Sequence, residues 1–190
     1  MRKRFYQAFT LVEMLIVMGI LIILMVVGIA AGRYAINRAN RVAHQNAADQ
    51  IYQGLQAYYT ENRVFPEPGD ISTMIDDETG ELWEYMDSGD FQGGAPADYV
   101  YIANTGLVDR QSVLICVTLG GPDDQLQRGI YCSGNGFRDA TLTIATGVNA
   151  GNLSDPFIEY DTTNDIYNAI VGHANAATWN GNEWGAIPTE

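Results

Sequence analysis

Hydrophobic positions are unevenly spread along this chain, and their pattern changes twice. From Phe9 to Gly32 apolar residues follow one another almost without a break, and after Glu13 no charge appears until Arg33. These 24 residues would form a helix of about 36 Å, enough to cross a bilayer core of ~30 Å. No second run of this kind occurs, so the pattern predicts one membrane-crossing helix with the rest of the chain on one side. Beyond Arg33 the run gives way to a stripe. Ile36, Ala39, Ala43, Ala47, Ile51, Leu55 and Tyr58 recur at steps of three and four, which predicts that the helix continues to about Asn62, where Phe65-Pro66 ends it. A helix from Phe9 to Asn62 is near 80 Å long at 1.5 Å per residue. Its first half needs lipid or sister helices, and its second half needs a covering sheet.

After Phe65 the pattern changes again, to Gly, Asp, Asn and Thr between short apolar runs. Tyr99–Ala103, Val113–Leu119, Ile130–Cys132 and Leu142–Ala145 read as strands, with Phe157–Tyr160 and Ile166–Val171 as weaker strand candidates. Gly120-Gly121-Pro122-Asp123-Asp124 is a turn signal, and Tyr85–Pro96 reads as loop. The expected fold is α+β: a long N-terminal α-helix, hydrophobic in its transmembrane half and amphipathic in its second half, packed on an antiparallel β-sheet head. The expected divisions are 1–8, a basic leader; 9–32, the apolar helix; 33–63, its amphipathic continuation; and 64–190, an acidic β-rich head.

Charge sharpens this division. The 190 residues carry a formal charge of −13, and Lys3 is the only lysine. Beyond Arg63 there are 20 acidic residues against Arg110, Arg128 and Arg138, so that part carries −17. Such acidity disfavours a broad footprint for nucleic acid and suits a self-repelling, soluble surface. Cys116 and Cys132 lack the paired Cys or His neighbours of a zinc site. In an extracytoplasmic head they predict a disulfide; the other reading is two buried thiols. Basic residues flank the apolar run on both sides, Arg2, Lys3 and Arg4 before it and Arg33, Arg38 and Arg41 after it. The tight leading cluster and the expected disulfide together favour a cytoplasmic N-terminus.

Three explanations compete for the N-terminal segment: a secretory signal peptide ending near Gly28-Ile29-Ala30, a plain signal anchor, and a segment cut before Phe9. Glu13 separates them, because a carboxylate inside an apolar helix is costly. Thr10-Leu11-Val12-Glu13 also fits the S/T-x-x-E capping box, in which Glu13 would satisfy a helix N-terminus.

The stretch Ala8-Phe9-Thr10-Leu11-Val12-Glu13-Met14-Leu15-Ile16-Val17, behind a short basic leader, resembles the processing and methylation motif of type IV pilins and type II secretion pseudopilins. With the helix that follows, the resemblance covers roughly the first third of the chain. It implies cleavage between Ala8 and Phe9 by a prepilin peptidase and methylation of the new Phe9 amine. The family's usual residue before the cut is Gly; Ala8 is another small residue. It further implies that Glu13 pairs with the Phe9 amine of an adjoining subunit during assembly, since two desolvated charges are each costly alone. An i,i+4 pair within one subunit is also geometrically possible. The processed chain would keep seven basic residues against 23 acidic ones, a formal charge of −16.

The expected partners are therefore copies of the chain itself, the prepilin peptidase, the membrane before assembly and the pilus or secretion machinery. No catalytic constellation stands out. The two histidines, His44 on the helix and His173 in a loop, read as a subunit or sheet contact and as a solvated residue. No cofactor or metal is expected: Asp123-Asp124 and Asp161-Thr162-Thr163-Asn164-Asp165 lack EF-hand spacing and read as solvated turns. Trp179 and Trp184 are expected to pin the C-terminal region to the sheet. The leading expectation is a structural subunit of an extracellular pilus-like filament. Its neighbours are a minor pilin or pseudopilin and, from another class, a membrane-tethered binding domain that never polymerises. An enzyme is not expected.

Overall fold

The computed structural model describes residues 10–69, 71–76, 78–87, 96–104, 110–120, 128–145, 147–161, 163, 165–179 and 184–186. The chain divides into two compact units, Met1–Ala39 and Asn40–Glu190. One helix, α1 (Leu11–Asn62), contributes to both. Its end falls at the expected residue. Arg63 takes a left-handed conformation (φ 63°), and its N–H closes on the Tyr59 carbonyl at 2.8 Å, a single bond that caps the last turn.

The second unit is built on a six-stranded antiparallel sheet. Its strands are β1 (Ala97–Ala103), β2 (Val113–Thr118), β3 (Ile130–Gly134), β6 (Phe157–Ile158), β7 (Ala176–Trp179) and β8 (Trp184–Ala186), in the order β6-β3-β2-β1-β7-β8. A separate hairpin joins β4 (Thr143–Ala145) to β5 (Val148–Asn149). The described residues of the unit also include two short α-helices, α2 (Ile71–Asp76) and α3 (Asp165–Val171), and a 3-10 turn at Ala150–Asn152.

Alternation along β1 and β2 sends side chains to two faces, and both faces are covered. On one, Ala47, Ala48, Ile51 and Leu55 of α1 pack with Tyr99, Tyr101, Val113, Ile115 and Val117, joined by Ile71 and Ile75 of α2. On the other, Val100, Ile102, Leu114, Cys116 and Cys132 meet Leu142, Ile144, Leu153 and the Tyr167 and Ile170 side chains of α3. Every residue of β1 and β2 is consequently buried, which is why these strands read as continuous apolar runs rather than alternating ones.

Two expectations change. Ile166–Val171 is not a strand but most of α3. A six-residue apolar run cannot by itself tell strand from helix, and here burial falls on Tyr167 and Ile170, three apart, the helical spacing. The stripe on α1 also begins later than the periodicity implied: Ile36, Ala39 and Ala43 are exposed, and continuous burial starts at His44. Smaller differences are a longer β1 and β3 and a shorter β2, β4 and β6. The backbones of Trp179 and Trp184 pair across β7 and β8, so both tryptophans do belong to the sheet. The turn expected at Gly120–Asp124 lies mostly outside the described residues, as does most of the Tyr85–Pro96 stretch.

Candidate membrane and assembly helix

Within Met1–Ala39, the described residues are Thr10 and the first part of α1, and none of them is buried. The large apolar side chains from Leu11 to Ile29 are all at least 48% exposed. Among the described residues α1 is the one helix long and apolar enough to cross a membrane. A monomer in water would leave this surface wet, at roughly 25 cal/mol per Å² of apolar area, so it requires lipid or other helices.

The first turn is closed by a reciprocal cap. Glu13 Oε2 accepts from the Thr10 backbone N–H at 2.8 Å and from the Thr10 hydroxyl at 2.9 Å, while the Glu13 N–H donates to Thr10 Oγ1 at 3.2 Å. This is the capping box anticipated from Thr10-x-x-Glu13. The arrangement satisfies free N–H groups of the helix start within one subunit. Ala8 and Phe9, the expected processing residues, lie outside the described residues.

In the second unit the geometry is that of a braced head. Cys116 and Cys132 stand directly opposite each other on β2 and β3 and are joined by a disulfide whose sulfurs lie within the far-face core. His44 is buried, with Nδ1 3.0 Å from the Tyr99 hydroxyl. It is therefore a sheet contact. Burial, reinforced by the Arg128 guanidinium nearby, lowers its pKa to about 4. His173 is half-buried rather than solvated: its Nδ1 accepts from the Asn175 N–H at 3.2 Å, and burial lowers its pKa.

Where the chain leaves α1, Arg110 fastens it. The Phe65 N–H donates to the Arg110 carbonyl, Arg110 Nε donates to the Phe65 carbonyl, both at 2.9 Å, and the guanidinium pairs with Glu67 at 3.0 Å. Tyr101 adds a bond to the Pro66 carbonyl at 2.9 Å. Sequence reasoning missed Tyr99, Tyr101 and Arg110 in these roles, because each depends on a partner dozens of residues away. The only signal was tyrosine in a strand buried on both faces.

No group of three or more His, Cys, Asp or Glu side chains able to hold a metal ion occurs among the described residues. Asp161 is occupied locally, accepting from the Thr163 N–H at 2.9 Å and hydroxyl at 2.8 Å.

An uncovered apolar helix leading into a sheet-based α+β head defines a protein built to be held by its N-terminal helix. Comparison with known families makes this specific: the model of the prokaryotic N-terminal methylation motif matches residues 3–29. Residues 3–29 thus carry a type IV pilin-like prepilin motif. No curated protein and no solved structure matches the chain.

Proposed function

We propose that the protein is a structural subunit of a type IV pilus-like filament. It is made as a precursor with a cytoplasmic basic leader, cut before Phe9 by a prepilin peptidase, and held in the membrane by residues 9–32. It is then polymerised by packing of these helices, with the acidic head facing solvent. Its role is structural and not catalytic. One observation carries the reading: within the matched motif, α1 exposes an apolar surface from Leu11 to Ile29 among the described residues. Lipid and then sister helices are the two solvents that can receive it.

The same physics serves a pseudopilin or minor pilin, whose fibre is shorter. Recovery of the protein as the bulk component of sheared surface filaments assigns the major-subunit role, and its absence there assigns the other. Processing is tested by a mass spectrum of the native N-terminus, which should begin at Phe9 with one added methyl group. A mature form that starts at Met1, or after Ala30, overturns the proposal.

Glu13 has two roles to separate. The cap seen in one subunit needs Thr10, whereas pairing with a neighbour's Phe9 amine does not. Glu13→Ala and Glu13→Gln should be processed yet fail to enter filaments, while Thr10→Ala should still assemble. Equal assembly by all three would leave Glu13 with capping alone.

A further inference from the structure

Charge along α1 is segregated in a way that anchoring by an apolar span does not explain. Between Glu13 and Asp49 there is no carboxylate, and the only charged side chains are Arg33, Arg38 and Arg41. Three of the seven basic residues that would survive processing thus fall within nine positions, directly after the apolar run, in a chain that is otherwise strongly acidic. Basic residues at the outer end of a span also weaken the bias that sets its orientation, so their presence there calls for a separate role.

We infer that Arg33, Tyr34 and Arg38 bind anionic lipid headgroups around α1, at the membrane face where it emerges. The inference rests on the reading of residues 9–32 as a membrane span. At 1.5 Å per residue, Arg33 and Arg38 lie about 2 and 9 Å along the axis beyond Gly32. The headgroup layer extends roughly 5–8 Å past the hydrocarbon, and a long guanidinium side chain reaches back toward it. Both charges therefore come to the level of the lipid phosphates. Tyr34 and Arg38 are four residues apart on one face, and Tyr34 is 70% exposed, the placement of an interfacial aromatic.

Arg33 and Arg38 are both exposed, and neither is tied to another described residue by a hydrogen bond or ion pair. Arg41 differs, since its guanidinium sits 4.7 Å over the Phe157 ring. A sister subunit is a poorer source of counter-charge at this depth. Copies standing side by side in a bilayer present the same arginines at the same level, with no carboxylate of their own from residue 14 to residue 48. Lipid phosphate is the anion at hand there. The consequence is selective: membrane-held subunits gather anionic lipid around the start of the head.

The test uses the full chain in vesicles of phosphatidylcholine, alone and mixed with phosphatidylglycerol, with spin-labelled lipids reporting which headgroup surrounds the span. The wild type should prefer phosphatidylglycerol, each arginine contributing roughly fivefold at low salt, and should lose most of the preference at high salt. Arg33→Gln with Arg38→Gln should lower the ratio about 25-fold, leaving only what Arg2, Lys3 and Arg4 contribute at the other end of the span, and Arg33→Lys with Arg38→Lys should restore it. An inserted wild type without preference, or a double Gln variant whose preference equals that of the wild type, overturns the inference. So does a double Gln variant that keeps its lipid preference but fails to enter filaments, since the arginines then serve a neighbouring subunit. Protease protection in the same vesicles separates the two readings: a chain that does not insert at all overturns the membrane span itself and the lipid site with it.

Discussion

His44 shows how a single residue on a helix acquires its chemistry from the sheet it meets. It lies on the buried face of α1, with its ring against Tyr99 of β1 and the Arg128 cation near by. Burial disfavours the imidazolium, so the folded pKa of about 4 lies below the ordinary 6.5. The sign follows directly. Above pH 6.5 the ring is neutral in both folded and unfolded chains and costs nothing. As pH falls from 6.5 toward 4, the unfolded chain takes up a proton that the folded one refuses, and up to about 3 kcal/mol of stability is lost. His44→Asn removes this titration. Urea unfolding at a series of pH values should show a shallower decline for the variant across that window, whatever its starting stability. Parallel declines would mean that His44 is not buried as a neutral base. The stripe of small and apolar residues already placed His44 near a contact; its partner and its pKa were not legible, because Tyr99 is 55 residues away.

At the level of elements, α1 approaches the following segment through Gly54. A Cβ at this position would fall 2.5 Å from Met86 Sδ and 2.6 Å from its Cγ, so the absence of a side chain lets Met86 lie over the helix. Two effects oppose each other. Alanine is favoured over glycine inside a helix by about 1 kcal/mol, but displacing a packed side chain costs about 1–3 kcal/mol. Gly54→Ala should therefore be less favourable in the wild-type background than once Met86→Ala has made room, where it gains about 1 kcal/mol. A double-mutant cycle by chemical denaturation reads this coupling, and equal effects in both backgrounds would refute the contact. The glycine itself is visible in the sequence. What it accommodates is not, since nothing in the irregular stretch after Glu81 marks Met86 as a packing residue.

At the scale of the molecule, the head has a core on each side of one sheet, and the disulfide belongs to the far one. Cys116 and Cys132 are 16 residues apart, opposite each other on neighbouring strands, and fully buried. Closing a loop of this length stabilises the fold by about 3 kcal/mol in the chain-entropy model. Because the sulfurs are covered, a thiol reductant alone should leave the bond intact in the native protein and reduce it only when denaturant opens the head. The Cys116→Ala, Cys132→Ala double variant should keep its β-sheet circular dichroism and unfold at lower urea, by about that energy. Rapid reduction under native conditions would show that the far-face core does not shield the bond.

What the sequence determined by itself is everything that depends on neighbours along the chain. An unbroken apolar run specifies a helix that needs a non-aqueous partner, Thr10 and Glu13 specify a cap three residues wide, and Phe65-Pro66 specifies where the helix must stop. The four stronger strand candidates were legible for the same reason. Only the tertiary structure decided that Ile166–Val171 is a helix, because a short apolar run takes its conformation from the surface it covers. Only the tertiary structure decided that the sheet has a second covered face, and that burial on α1 begins at His44 rather than Ile36. Periodicity records which side of a helix is apolar; how much of that side finds a partner is set by residues brought together from distant parts of the chain.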